Sequence, residues 1–227
     1  MMVSLTRSGG SPPRHAENLS VEEDGSFVMR RQSGGSRVGT FAGTLPKADL
    51  TRLRAEIDAC ASAPGVEPSD RYAPDEARDR ITLGDKVVEV RLYNELEAPW
   101  GPLLEHLQEL LGGLTEFPRA ALELSVDPKT VSARLRQVGD EAVLADLSRG
   151  RVSARLVGKG AESIESWESD LSGTPGGDLL GPGWEQDLGL EETGFELSRG
   201  RYYEVAVECD LMLEVLPLPA RLTSSNE

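Results

Sequence analysis

The apolar residues of this chain keep two different rhythms, and the change falls near Pro118. Before it, Leu50, Leu53, Ile57 and Cys60 recur at three and four, and so do Leu103, Leu104, Leu107, Leu110, Leu111 and Leu114. That spacing gathers apolar side chains on one stripe of a helix. After Pro118 the spacing becomes alternate, as in Leu122, Leu124 and Val126, in Val131, Ala133 and Leu135, and in Tyr203, Val205, Val207 and Cys209. Alternation is the mark of a strand with one face buried. The pattern therefore predicts two domains. Residues 1–118 are read as α+β, an antiparallel sheet covered by two helices, and residues 119–227 as an all-β, Ig-like sandwich.

Within the first domain, Val3 to Arg7 alternates as a strand. Leu19 and Val21 face Phe27 and Met29 across Asp24-Gly25, a pair that suits the positive φ of a tight hairpin turn. Val38 to Ala42 is a further strand. The first helix begins near Thr44 and Pro46 and stops at Pro64-Gly65. Pro64 to Asp79 reads as a long loop, and Ile81 to Leu92 as a second hairpin turned at Gly84-Asp85. His106 lies off the apolar stripe of the second helix and is expected to face solvent.

In the second domain, Val143 to Leu147 and Val152 to Leu156 read as separate strands. Leu147-Ser148-Arg149-Gly150-Arg151 recurs as Leu197-Ser198-Arg199-Gly200-Arg201, which suggests one turn used twice, with a left-handed glycine before each strand. Tyr202 or Tyr203 suits a tyrosine packed at a sandwich corner.

The formal net charge of −15 repels nucleic acid and anionic membrane, so neither is expected as a partner. No apolar run approaches the ~18 residues of a membrane-spanning helix. Cys60 and Cys209 form no disulfide framework and are expected as buried free thiols. With no signal segment in view, this points to a cytoplasmic protein. Histidines occur only at positions 15 and 106, and no GxSxG, HExxH, CxxC or phosphate-loop pattern is present. No catalytic residue, metal ligand or cofactor is assigned.

One segment is unusual. From Ala161 to Leu197 there is no lysine or arginine, while acids recur from Glu162 to Glu196. Trp167 and Trp184 flank a glycine- and proline-rich centre. The spacing does not fit an EF-hand. Trp184 reads as an aromatic anchor within an acidic rim, a protein-binding composition.

The opening Val3-Ser4-Leu5-Thr6-Arg7-Ser8-Gly9-Gly10 resembles the start of emfourin-like proteins, small bacterial inhibitors of thermolysin-like metalloproteases, and the element order over residues 1–114 is similar. The resemblance implies a binding loop that includes Arg7, Ser8, Gly9, Gly10, Ser11 and Pro12, and a metalloprotease as partner. The sequence departs from that family at Ser11-Pro12-Pro13, where an aromatic and a glycine would follow the two glycines. The expected function is non-catalytic protein binding. The alternatives are an assembly adaptor that binds a partner chain through the sandwich, and a small hydrolase with a carboxylate site.

Overall fold

The computed structural model describes residues 2–9, 15–66, 77–91, 96–212 and 218–227. Two compact units emerge, one of Met1–Arg31 with Thr40–Phe117, the other of Gln32–Gly39 with Pro118–Glu227. The first is a multi-stranded antiparallel sheet with two helices, and the second is all-β.

The first unit contains β1 (Val3–Gly9), β2 (His15–Val21), β3 (Ser26–Arg31), the end of β4 (Arg37–Thr44), α1 (Lys47–Ala61), β5 (Arg78–Leu83), β6 (Lys86–Arg91) and α2 (Trp100–Gly113). Its sheet order is β4-β3-β2-β1-β5-β6. The β2–β3 turn forms as the Asp-Gly pair predicts: Gly25 has φ +89°, and the Asp24 carboxylate accepts the Ser26 amide at 2.9 Å. One sheet face buries Leu5, Leu19, Met29 and Ile81 in a single cross-strand row. Helix α2 lies over that face. The Gln108 side chain donates to Asp79, and the Leu111 carbonyl accepts from Arg31. Full burial of Leu53, Leu103 and Leu107 contributes about 1.5–3 kcal/mol each.

His106 corrects the sequence expectation, being only 1% exposed. It lies three residues after Leu103 and four before Leu110, so the apposition of α1 and α2 widens the buried arc to include it. Glu56 on α1 meets its Nδ1 at 2.8 Å.

The next row out on the same sheet face is charged. Asp79, Arg7, Glu17 and Arg31 stand opposite one another across β5, β1, β2 and β3. Asp79 is fully buried and accepts from Arg7 Nε at 2.8 Å, Arg7 Nη2 at 3.0 Å and Gln108 Nε2 at 2.7 Å. Glu17 accepts from Arg31 Nε at 2.5 Å. Each carboxylate is thus paired and hydrogen-bonded, the condition under which buried charge is tolerated.

The second unit contains the start of β4, β7 (Pro118–Val126), β8 (Ala133–Val138), β9 (Val143–Val157), β10 (Ser163–Asp170), β11 (Asp178–Leu180), β12 (Glu185–Asp187), β13 (Tyr202–Leu211) and β14 (Leu218–Ser225). One set of strands has the order β12-β8-β7-β4 and the other β10-β9-β13-β14, with β11 also paired to β9. Both sets lend side chains to one core, Val38, Leu122, Leu124 and Leu135 from the first, and Val152, Leu156, Val205, Val207 and Leu222 from the second. Gly39 is required where β4 meets β7: its φ is +135°, and a Cβ there would lie 2.4 Å from the Ala120 carbonyl oxygen. Glu123 bridges Arg37 and Arg136. Burial pushes its carboxyl up, but the hydrogen bonds from Arg37 and Arg136 outweigh this and hold it below the usual carboxylate range.

Tyr203 supplies the expected packed tyrosine. It is fully buried, and its hydroxyl accepts the Ser132 amide at 3.0 Å within the β7–β8 turn. The Thr130 and Ser132 carbonyls lie 2.8 Å from that hydroxyl.

Two other expectations are corrected. Val143 to Leu156 is one long strand, with a register irregularity opposite Glu208 to Asp210 instead of a turn. The repeated pentapeptide consequently has two roles. Gly200 turns the chain with φ +78°. Gly150 lies inside β9 without a left-handed backbone and makes room for neighbours, since a Cβ there would lie 2.8 Å from Leu171 Cδ1 and 2.9 Å from the Glu208 carbonyl oxygen.

Candidate protein-binding surface

The side chains of β10, β9, β13 and β14 that point away from the core fall into three cross-strand rows. Antiparallel register puts Ser166, Arg155, Glu204 and Ser225 in one row, Glu168, Ser153, Ala206 and Thr223 in the next, and Asp170, Arg151, Glu208 and Arg221 in the third. Directly opposite residues share a face. The middle row is short at Ser153, Ala206 and Thr223, whereas the outer rows carry long, paired charges. Arg155 donates to Glu204 at 2.5 Å, Arg221 stands 3.6 Å from Glu208, and Arg151 stands 3.9 Å from Asp170. A trough of about 600 Å³ lies over the short middle row, with Arg155 and Glu204 along one side and Arg221 on the other. Its span over four strands is about 14 Å at ~4.8 Å per strand.

The two edges of this sheet differ. The β14 edge is covered by the unit's own early segment: the amides of Arg221 and Thr223 donate to the carbonyls of Gln32 and Gly35. On the opposite side, β9 pairs with β10 along Arg151 to Val157 and with β11 at Val143 to Ala145. Among the described residues no strand lies beyond β10. The Leu171 amide donates to the Gly150 carbonyl, so Leu171 directs its backbone groups at β9. Strand alternation then turns the N–H and C=O of Ser166 and Glu168, and the N–H of Asp170, outward. Every β10 side chain is exposed except Trp167, which is half-buried. A register irregularity between Ser163 and Glu165 ends the regular edge.

Apolar side chains gather toward β11. Leu179 is 73% exposed and stands directly opposite Leu144, itself 37% exposed. The Met212 amide donates to the Leu144 carbonyl, placing half-buried Met212 beside this pair. The link between β10 and β11 is tied to β9 by Asp146, which accepts from the Ser148 hydroxyl at 2.6 Å, the Ser148 amide at 3.0 Å and the Gly176 amide at 3.3 Å. The Ser148 hydrogen bonds hold the Asp146 carboxyl below its ordinary range.

The residues singled out from sequence are dispersed. Arg7 is committed to Asp79 and Glu17 within the first unit. Ser8 and Gly9 end β1 opposite Ala16 and His15, with Gly9 at φ +103°. Gly10, Ser11 and Pro12 lie outside the described residues. Trp184 is half-buried against the core of the second unit, and it borders a cleft of about 420 Å³ that Leu179 and Leu180 also line. Sequence reasoning reached the acidic segment and its tryptophans but missed Leu144 and Leu179. The available signal was the Leu179-Leu180 pair between glycine-rich turns, where one leucine faces in and the other out.

Elsewhere, His106 borders a cavity of about 330 Å³ with Asp49, Glu109 and Phe117. Its Nε2 is buried and has no hydrogen-bond partner among the described residues. Burial pushes the Cys209 thiol up to about 12, and raises the Cys60 thiol as well. Among the described residues no three histidine, cysteine, aspartate or glutamate side chains converge as metal ligands, and no helix is long and apolar enough to cross a membrane. No protein-family model matches the sequence, and no curated protein matches it.

Proposed function

We propose that this is a non-catalytic protein-binding protein that engages a partner chain through its all-β unit, and that this unit is an Ig-like sandwich. The observation that carries the reading is the exposed Leu179 beside Leu144 on a sheet where, among the described residues, no strand lies beyond β10. Apolar side chains presented together on a surface mark interaction sites. The sandwich assignment is supported by the shared core of the two strand sets and by Tyr203 beneath the β7–β8 turn. A non-catalytic role is supported by the buried carboxylates, since Asp79, Glu17 and Glu123 all accept hydrogen bonds from arginines. The test compares affinity capture by the wild-type chain and by Leu144→Glu/Leu179→Glu, read by mass spectrometry. A partner kept by the first and lost by the second supports the reading, and equal retention refutes it.

A second reading keeps the metalloprotease as partner. Its support among the described residues is the end of β1, where Ser8 and Gly9 pair with Ala16 and His15. Titrating a thermolysin-like protease with the full chain tests it, and absence of inhibition at tens of micromolar removes it.

A further inference from the structure

We propose that β10 takes an extended, lysine- or arginine-rich segment of the partner as an added strand. The inference rests on the protein-binding reading and specifies the partner's chemistry. The outward N–H and C=O groups of Ser166 and Glu168, with the outward N–H of Asp170, form a ready template for pairing with another chain.

The side chains select the occupant. Glu165, Glu168 and Asp170 are all exposed, and no lysine or arginine occurs between Ala161 and Leu197. Glu168 and Asp170 share one face, so a second copy of this chain pairing antiparallel through β10 about either residue would set like charges directly opposite at about 4.5–5.5 Å, which is destabilising. A basic strand reverses the sign of that interaction. Its alternate side chains would fall beside Ser166, Glu168 and Asp170, where the trough over Ser153, Ala206 and Thr223 begins. The irregularity at Ser163 to Glu165 limits the accepting stretch to the remainder of the strand.

The test uses the full chain and two synthetic peptides of equal length, one alternating Lys and Thr, the other alternating Glu and Thr. Binding is measured by titration, and amide exchange is followed residue by residue. The Lys-Thr peptide is expected to bind at least tenfold more tightly, to weaken with salt, and to slow exchange at Ser166 and Glu168. Glu168→Pro removes one outward N–H and no bond to β9, so affinity should fall at least tenfold with Tm nearly unchanged. Should that variant unfold, Glu168→Lys/Asp170→Lys decides, since it should exchange the preference between the peptides. Equal binding of both peptides, no protection along β10, or affinity that survives the proline overturns the proposal. So does a dimer in sedimentation that the proline dissociates, because the edge would then belong to a second copy. A partner captured by the wild-type chain that binds Glu168→Pro undiminished removes strand addition and leaves protein binding standing. Failure to bind any partner chain removes both.

Discussion

Each unit carries a cross-strand row of alternating arginines and carboxylates, and the two rows meet opposite fates. In the first unit Asp79, Arg7, Glu17 and Arg31 lie beneath α2, and the side chains of the Arg7–Asp79 pair are 21% and 0% exposed. In the second unit Asp170, Arg151, Glu208 and Arg221 lie on an uncovered sheet face, and the Arg151–Asp170 pair is 69% and 88% exposed. The chemistry is the same and the solvent differs. Water screens the open row and weakens the coupling between its charges. The covered row has no such screening, so each group depends on its neighbours.

Replacing Asp79 by alanine should give the largest effect in this comparison. It leaves the Arg7 guanidinium partly buried without its main partner and frees Gln108, at an expected cost of about 3–5 kcal/mol in urea unfolding. A loss under ~1 kcal/mol would mean that the covered row behaves like a surface one. Tyr203→Phe comes next. It leaves the Ser132 amide without its acceptor, for about 1–3 kcal/mol by the same measurement.

Glu123 lies between the extremes, with one arginine partner 24% and the other 49% exposed. Its folded-state pKa lies below the ordinary value of 4.5, so its contribution is present above about pH 4.5 and is lost as pH falls through the folded value. Glu123→Gln should therefore be less stable than wild type at pH 7, with the gap closing under acid. A gap that stays constant down to pH 3 would remove the ion-pair account. The smallest effect belongs to the open face. A double-mutant cycle on Arg155 and Glu204 should give a coupling of about 0–1 kcal/mol that declines with salt. A larger value would mean that the face is less open to water than its side-chain exposures indicate.

Much of the fold was legible because apolar periodicity reports directly on what an element buries. The 3–4 spacing located α1 and α2, alternation located most strands, and Asp24-Gly25 located a turn whose backbone requirement is local. What escaped depended on partners distant in sequence. His106 is buried because Glu56, 50 residues earlier, meets it. Gly150 is accommodated by Leu171 and Glu208 and not by turn geometry. The candidate surface was half legible. An acidic stretch is visible in composition, but which of two adjacent leucines faces out, and which border of a sheet stays uncovered, is decided by pairing.

The segment Gln32–Gly39 carries a consequence for how the chain is made. It contributes Val38 to the core of the second unit, and its Gln32, Gly35 and Ser36 carbonyls accept the amides of Arg221, Thr223 and Leu124. On a ribosome it is synthesised well before β7, and at ~5–20 residues per second that wait is on the order of ten seconds. A polypeptide that starts at Pro118 would be born without one of its own strands. Supplying residues 32–39 as a separate peptide should complement it, much as a missing segment restores a split enzyme.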